Sequence, residues 1–191
     1  MSLSEEIQRL DDRPAPAQGR VIVITGAMAA GKSTVAELLA HRLAKSVHIR
    51  GDAFRRMIVN GEAEMTLDPT PEALAQRRMR YRLAGQVADG YAAEGFDAIV
   101  QDVIMGPDLP AFVGQITTEE RYLIVLSPSV TVLEWREQQR KKQQDVHFSA
   151  GAMDNTLRME TEKIGYWLDS SAQSPEETVE DILEHLAQAR V

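Results

Sequence analysis

The chain has 191 residues and no cysteine, with 43% hydrophobic and 26% charged residues and a formal net charge of −8. That length fits one domain with a sizeable core, and the lack of Cys excludes disulfides and thiolate metal sites, in keeping with a reducing, cytoplasmic setting. No apolar run reaches the length of a membrane span, and the acidic balance argues against non-specific nucleic-acid binding.

Residues 1–19 are expected to form an appended arm, in which Arg13-Pro14-Ala15-Pro16 is a stiff linker. Residues 20–191 read as one domain. Its first element, Val21-Ile22-Val23-Ile24-Thr25, is a β-branched apolar run that predicts a buried parallel strand. Gly26 to Thr34 follows with the spacing G-x-x-x-x-G-K-[ST], and Ser33 to Leu43 predicts a helix with Val35, Leu38, Leu39 and Leu43 inward. Strand, glycine loop and helix in that order make a phosphate cradle. Backbone N–H groups around Gly26, Ala29, Ala30, Gly31 and Thr34 would face the phosphates at the positive end of the helix. Lys32 would bridge the β- and γ-phosphates of ATP, and the Ser33 hydroxyl would bind Mg²⁺.

Further along, Ser46 to Arg50 predicts a second strand and Pro71 to Glu94 a long helix, with Met79, Leu83, Val87 and Tyr91 down one face. Ala98-Ile99-Val100 and Tyr122 to Leu126 give the third and fourth strands, Val130 to Gln144 a helix, and Gly165 to Asp169 the fifth strand. Ser174-Pro175-Glu176-Glu177 is a helix start with a capping box. Alternating β and α implies an α/β fold, a parallel sheet between helical layers, with ligands at the carboxyl ends of its strands.

Residues just past those ends are the candidates for chemistry. Asp52, after the second strand, would accept the proton of a hydroxyl as its oxygen attacks the γ-phosphorus; it could also cap the helix that follows. Arg55, one helical turn on, would hold the acceptor, while Arg56 reads as solvated. Asp102, after the third strand, would reach Mg²⁺ or orient the acceptor, or simply cap its loop. Arg136 and Arg140 share a helix face and would close over the phosphates from a lid spanning about 136–151, with Gln143 to Gly151 as its flexible tip. Arg77, Arg78, Arg80 and Arg82 read as a solvent face, the alternative being an anion-binding face with Arg78 and Arg82 on one side. None of the four histidines has metal-site spacing. Trp135 and Trp167 read as packing residues. No N-K-x-D motif of Ras-type GTPases is present, and no Glu follows Asp102 as in motor ATPases. A kinase is therefore favoured over a nucleotide-binding regulatory protein without phosphotransfer.

On these residues the chain resembles the adenylate-kinase-like group of P-loop small-molecule kinases. Gly51-Asp52-x-x-Arg55 is similar to the Asp-x-x-Arg of adenylylsulfate and polynucleotide kinases, and Gln101-Asp102-Val103 to the Asp-Asp-Val of chloramphenicol phosphotransferases, with Gln replacing the first Asp. Arg136-Glu-x-x-Arg140 resembles their lid. The resemblance implies a three-layer P-loop fold with sheet order 2-3-1-4-5, Asp52 as base, and adenine near Ser171 and Gln173. It also implies transfer to a small-molecule hydroxyl, with a 5′-hydroxyl polynucleotide kinase as the alternative.

Overall fold

The computed structural model describes residues 18–140 and 149–191. Five strands, β1 (Val21–Gly26), β2 (Ser46–Arg50), β3 (Asp97–Gln101), β4 (Arg121–Leu126) and β5 (Tyr166–Leu168), form one sheet in the order 2-3-1-4-5. Every pairing is parallel, with Val21 opposite both Ala98 and Arg121. β1 lies in the middle and all six of its residues are buried. Strand alternation divides them between two cores. Ile22 and Ile24 pack on Val35, Ala36 and Leu39 of α1 (Lys32–Arg42) and on Val179 and Ile182 of α7 (Pro175–Glu184). Val21 and Val23 face Tyr81, Ala84, Ala88 and Ala92 of α3 (Pro71–Ala93) and Phe112 of α4 (Asp108–Gln115).

The long helix turns a different face inward from the one its large apolar residues suggest. Its buried residues are Ala73, Tyr81, Ala84, Gly85, Ala88 and Ala92, whereas Val87 and Tyr91 are exposed. Small side chains let the backbone lie close on the sheet, and that proximity outweighs the hydrophobicity of larger residues on the flanks.

Three helices enlarge on the sequence reading. α2 (Gly51–Arg56) follows β2 without a break. α4 has a Pro in its first turn and only eight residues, too few for periodicity to show. After α5 (Val130–Arg140) comes α6 (Ala150–Glu160), whose N-cap Ser149 accepts a hydrogen bond from Ala152 N at 3.2 Å. Ala150 and Gly151 thus open a helix instead of ending a flexible tip. Residues 1–17 of the expected arm, residues 141–148 of the expected lid and the side chain of Arg140 lie outside the described residues. No helix among the described residues is long and apolar enough to cross a membrane.

At the far end of the sheet from the phosphate loop, Arg20 and Asp97 clamp the starts of β1 and β3. Arg20 Nε and Nη2 donate to the two carboxylate oxygens at 2.9 and 2.6 Å, and Arg20 N donates at 3.1 Å.

Candidate active site

The phosphate loop is shaped by backbone conformations that its sequence anticipates. Gly26 (φ 147°) and Gly31 (φ 96°) lie in regions that L side chains rarely adopt. A Cβ on Gly26 would fall 2.4 Å from Leu126 O, so the loop starts pressed against the end of β4. Ala29 is a non-glycine residue at φ 64°, a strained conformation of the kind concentrated at ligand-binding loops. Lys32 is buried at the start of α1, its Nζ donating to Ala27 O at 2.8 Å. Ser33 and Thr34 are exposed on the first turn. Arg136 comes back over this loop, Nη1 donating to Ala30 O at 3.4 Å.

A cleft of about 370 Å³ opens beside the loop, lined among others by Gly31, Thr34, Trp135, Arg136, Ser170 and Gln173. Trp135 is 60% exposed on its wall and so is not a packing residue, whereas Trp167 packs on the core beneath the Lys163 ammonium. Two buried polar atoms in the cleft lining, Ser170 Oγ and Gln173 Oε1, have no hydrogen-bond partner. Ser170 takes the place expected of Ser171, whose hydroxyl instead accepts from Ser129 N at 2.7 Å and pairs with Asp169. Gln173 Nε2 donates to Asp181 at 2.7 Å, which fixes the amide's orientation.

Past β2 and β3 the two aspartates take different environments. Asp52 lies in the first turn of α2, half-exposed, and the N-cap position belongs to Arg50, so Asp52 is not a cap. Its partner is Arg56, at 2.5 Å across one helical turn; the expected neighbour, Arg55, turns to Glu62 at 2.6 Å. Asp102 is 5% exposed. Its carboxylate accepts from Val103 N at 2.7 Å and pairs with Arg80 Nε at 2.9 Å. Burial pushes the Asp102 carboxyl up; Arg80, the Val103 amide and Lys32 oppose that shift, and the charge of Asp52 adds to it. Asp52 and Lys32 thus both act on the Asp102 carboxylate.

Arg80 is the site residue that sequence reasoning missed, having been placed on a solvent face. Nothing local marks it, because its partner is 22 positions away and meets it only through packing of α3 beside β3. Thr25 is another. Its hydroxyl donates to Ile104 O at 2.8 Å and accepts from Ile104 N at 2.9 Å, tying the loop after β3 to the end of β1. Arg158 of α6 donates to Ser127 O and Pro128 O while pairing with buried Asp154, so it braces the end of β4. Among the described residues no group of three or more His, Cys, Asp or Glu could hold a metal ion.

Residues 21–159 match the model of a family described as AAA domain, a P-loop kinase-like family. The chain belongs to this family. Among curated proteins, none matches the sequence. Solved structures share the fold at low identity. The unliganded sugar kinase of Janibacter sp. HTCC2649 is 20% identical with a TM-score of 0.63, covering 90% of this chain and 96% of its own. The Mycobacterium tuberculosis APS kinase solved with AMPPNP and APS is 18% identical with a TM-score of 0.66, covering 90% and 99%. A chain of the Pnkp1/Rnl/Hen1 RNA repair complex is 18% identical with a TM-score of 0.58, covering 78% of this chain and 45% of its own.

Proposed function

We propose that the protein is an ATP-dependent kinase that transfers the γ-phosphoryl group to a hydroxyl of a small molecule. One observation carries the reading. Gly51, the residue before Asp52, packs against the buried Asp102 carboxylate, and β3, which ends just before Asp102, pairs with β1, which leads into the loop bearing Lys32. In the proposed reaction the acceptor oxygen attacks the γ-phosphorus, the bond to the β–γ bridging oxygen breaks, and Asp52 takes the hydroxyl proton. Arg56, already paired with Asp52, is displaced toward the acceptor or solvent as the acceptor binds.

Lys32 and the loop N–H groups hold the β- and γ-phosphates, and Arg136 adds positive charge where negative charge gathers. Adenine occupies the cleft between Trp135 and Gln173, where Ser170 Oγ and Gln173 Oε1 supply the free polar atoms that a base edge needs. Ser33, through its exposed hydroxyl, and Asp102, through the carboxylate that Arg80 engages, are the residues that would hold Mg²⁺. When bound, Mg²⁺ supplies charge neutralisation at the β- and γ-oxygens.

ADP release across nucleosides, sugars, aminoglycosides and phenicol-like antibiotics tests the assignment. With the acceptor found, Asp52→Asn is expected to lose turnover and keep ATP binding, and Lys32→Ala to lose both. Near-normal transfer by Asp52→Asn would remove Asp52 as base. The RNA-repair neighbour supports a second reading, phosphorylation of an oligonucleotide 5′-hydroxyl, which the net charge of −8 opposes. Oligonucleotide-dependent ADP release would favour it.

A further inference from the structure

α5 turns two faces in two directions. Val130, Glu134 and Glu137, spaced i, i+4, i+7, share the face that meets α6. There Glu134 Oε1 and Val130 lie 3.4 and 3.9 Å from the place that a Cβ on Gly151 would take. Arg136 stands about 100° from Glu137 around the helix and comes over the phosphate loop, donating to Ala30 O at 3.4 Å. The rotation of α5 about its own axis therefore decides where the Arg136 guanidinium goes.

The two helices are joined at both ends. At the base, Arg158 of α6 donates to Ser127 O and Pro128 O, at 3.0 and 2.9 Å, just ahead of α5. At the other end, the Glu137 carboxylate accepts from the amide of Ala150, the first residue of α6, at 3.4 Å. Ser149 Oγ takes Ala152 N, so these two side chains satisfy two of the N–H groups that a helix start leaves open. An anion there also meets the positive end of α6.

Packing alone does not call for a carboxylate at this position. Glu137 is 8% exposed, and among the described residues its Oε1 has no hydrogen-bond partner. A leucine would fill the space without the cost of desolvating a charge. What a leucine lacks is a directional bond to the α6 backbone, and that bond resists rotation of α5.

We propose that Glu137 is a positioning residue: by holding the start of α6 it fixes the rotation of α5 and keeps Arg136 directed over the phosphate loop. This rests on the reading of Arg136 as the cation that meets the terminal phosphate. Glu137 then contributes to a preference for ATP over ADP while touching neither nucleotide.

Calorimetric titration of the full chain with MgATP and with MgADP tests this and requires no phosphoryl acceptor. Arg136→Gln should lower the ATP-over-ADP preference about tenfold, the loss of one charge-assisted hydrogen bond. Glu137→Leu should lower it by a similar factor, whereas Glu137→Gln, which keeps an acceptor at the same reach, should retain it. Glu137→Asp, too short to reach Ala150 N, should also lose the preference and serves if the leucine variant fails to fold. Arg136→Gln with Glu137→Leu should be no worse than Arg136→Gln alone, because one residue acts through the other. A merely structural Glu137 would instead lower the thermal midpoint and weaken both nucleotides alike. Equal weakening of ATP and ADP, or additive losses in the double variant, would overturn the proposal. An unchanged preference in Arg136→Gln would overturn the reading of Arg136 and the proposal together; a loss there with none in Glu137→Leu would overturn the positioning role alone.

Discussion

Gly51 and Asp102 compete for one volume: a Cβ on Gly51 would lie 2.0 Å from Asp102 Oδ2 and 2.5 Å from its Cγ. The first residue of α2 is therefore glycine for a steric reason, and the helix bearing Asp52 rests against the buried carboxylate. Gly51→Ala is expected to destabilise the fold by about 1–3 kcal/mol, the usual range for overpacking. It should also lower turnover more than nucleotide affinity, since it moves the aspartates and spares the phosphate loop. Thermal denaturation beside ADP release measures both.

Arg80→Gln would leave Asp102 buried without its cation, at a cost of about 3 kcal/mol. Burial holds the Asp102 carboxyl above its ordinary value even with Arg80 present, and the variant should raise it further. A raised carboxyl means the folded state binds more protons, so stability falls as pH rises from about 3.9 through the folded value. The deficit of Arg80→Gln should therefore shrink toward acid pH, and Asp102→Asn in the same chain should recover part of it. Urea unfolding across pH, with the double variant, checks the coupling; a pH-independent deficit would contradict it.

Asp97 should respond in the opposite sense. Burial works to raise its carboxyl, but the hydrogen bonds from the Arg20 side chain and amide overcome that and hold it below the ordinary range. Its contribution is present above about pH 3.9 and is lost as pH falls through the depressed folded value. Arg20→Gln is expected to cost about 1 kcal/mol at neutral pH, discounted for the partial exposure of the arginine, and to flatten the acid limb of the stability curve. Thermal midpoints at pH 7 and pH 3 suffice to see it.

At Ala29 the left-handed backbone carries a cost of about 1 kcal/mol for a residue with a side chain. Ala29→Gly removes it while freeing the unfolded chain, so the two nearly cancel and the thermal midpoint should hardly move. Gly31→Ala gains the same unfolded-state term in its favour, but φ 96° lies outside the left-handed well that Ala29 occupies, so strain should win, lowering the midpoint and abolishing nucleotide binding.

Trp135 offers a direct optical test of the adenine cleft. The chain has two tryptophans, and Trp135 is the one on the cleft wall. MgATP should quench its emission, and Trp135→Phe should abolish the quenching. Equal quenching in that variant would place the base elsewhere.

The strands and the phosphate loop could be read from the chain because both are local, whereas the order of the strands in the sheet followed only from the family resemblance. A buried parallel strand is a β-branched run, as at Val21 to Ile24, and a glycine needed for a left-handed turn is spelled in one letter, as at Gly31. The positions of Asp52 and Asp102 just past β2 and β3 were legible at one remove, since alternating strands and helices bring the strand ends together. What escaped was set by packing between distant elements. Ala84, Gly85 and Ala88 outrank Val87 and Tyr91 for the core only because α3 lies close on the sheet. Arg80 joins the site only because that helix runs beside β3. The exposure of Trp135 depends on where α5 meets the loop after β5, which no pattern within α5 encodes.

The smooth inner face of α3 has a mechanical consequence. Beyond Tyr81, whose hydroxyl donates to Val103 O and whose ring meets Phe112, the rod is bedded on alanine and glycine, so a small roll about that one anchor is cheaper than for a helix keyed in by leucines along its length. Such a roll moves Arg80 and Arg82 in opposite directions, because they sit on opposite sides of the same axis. A roll of this kind would change the grip of Arg80 on Asp102 while leaving every strand pairing of the sheet in place.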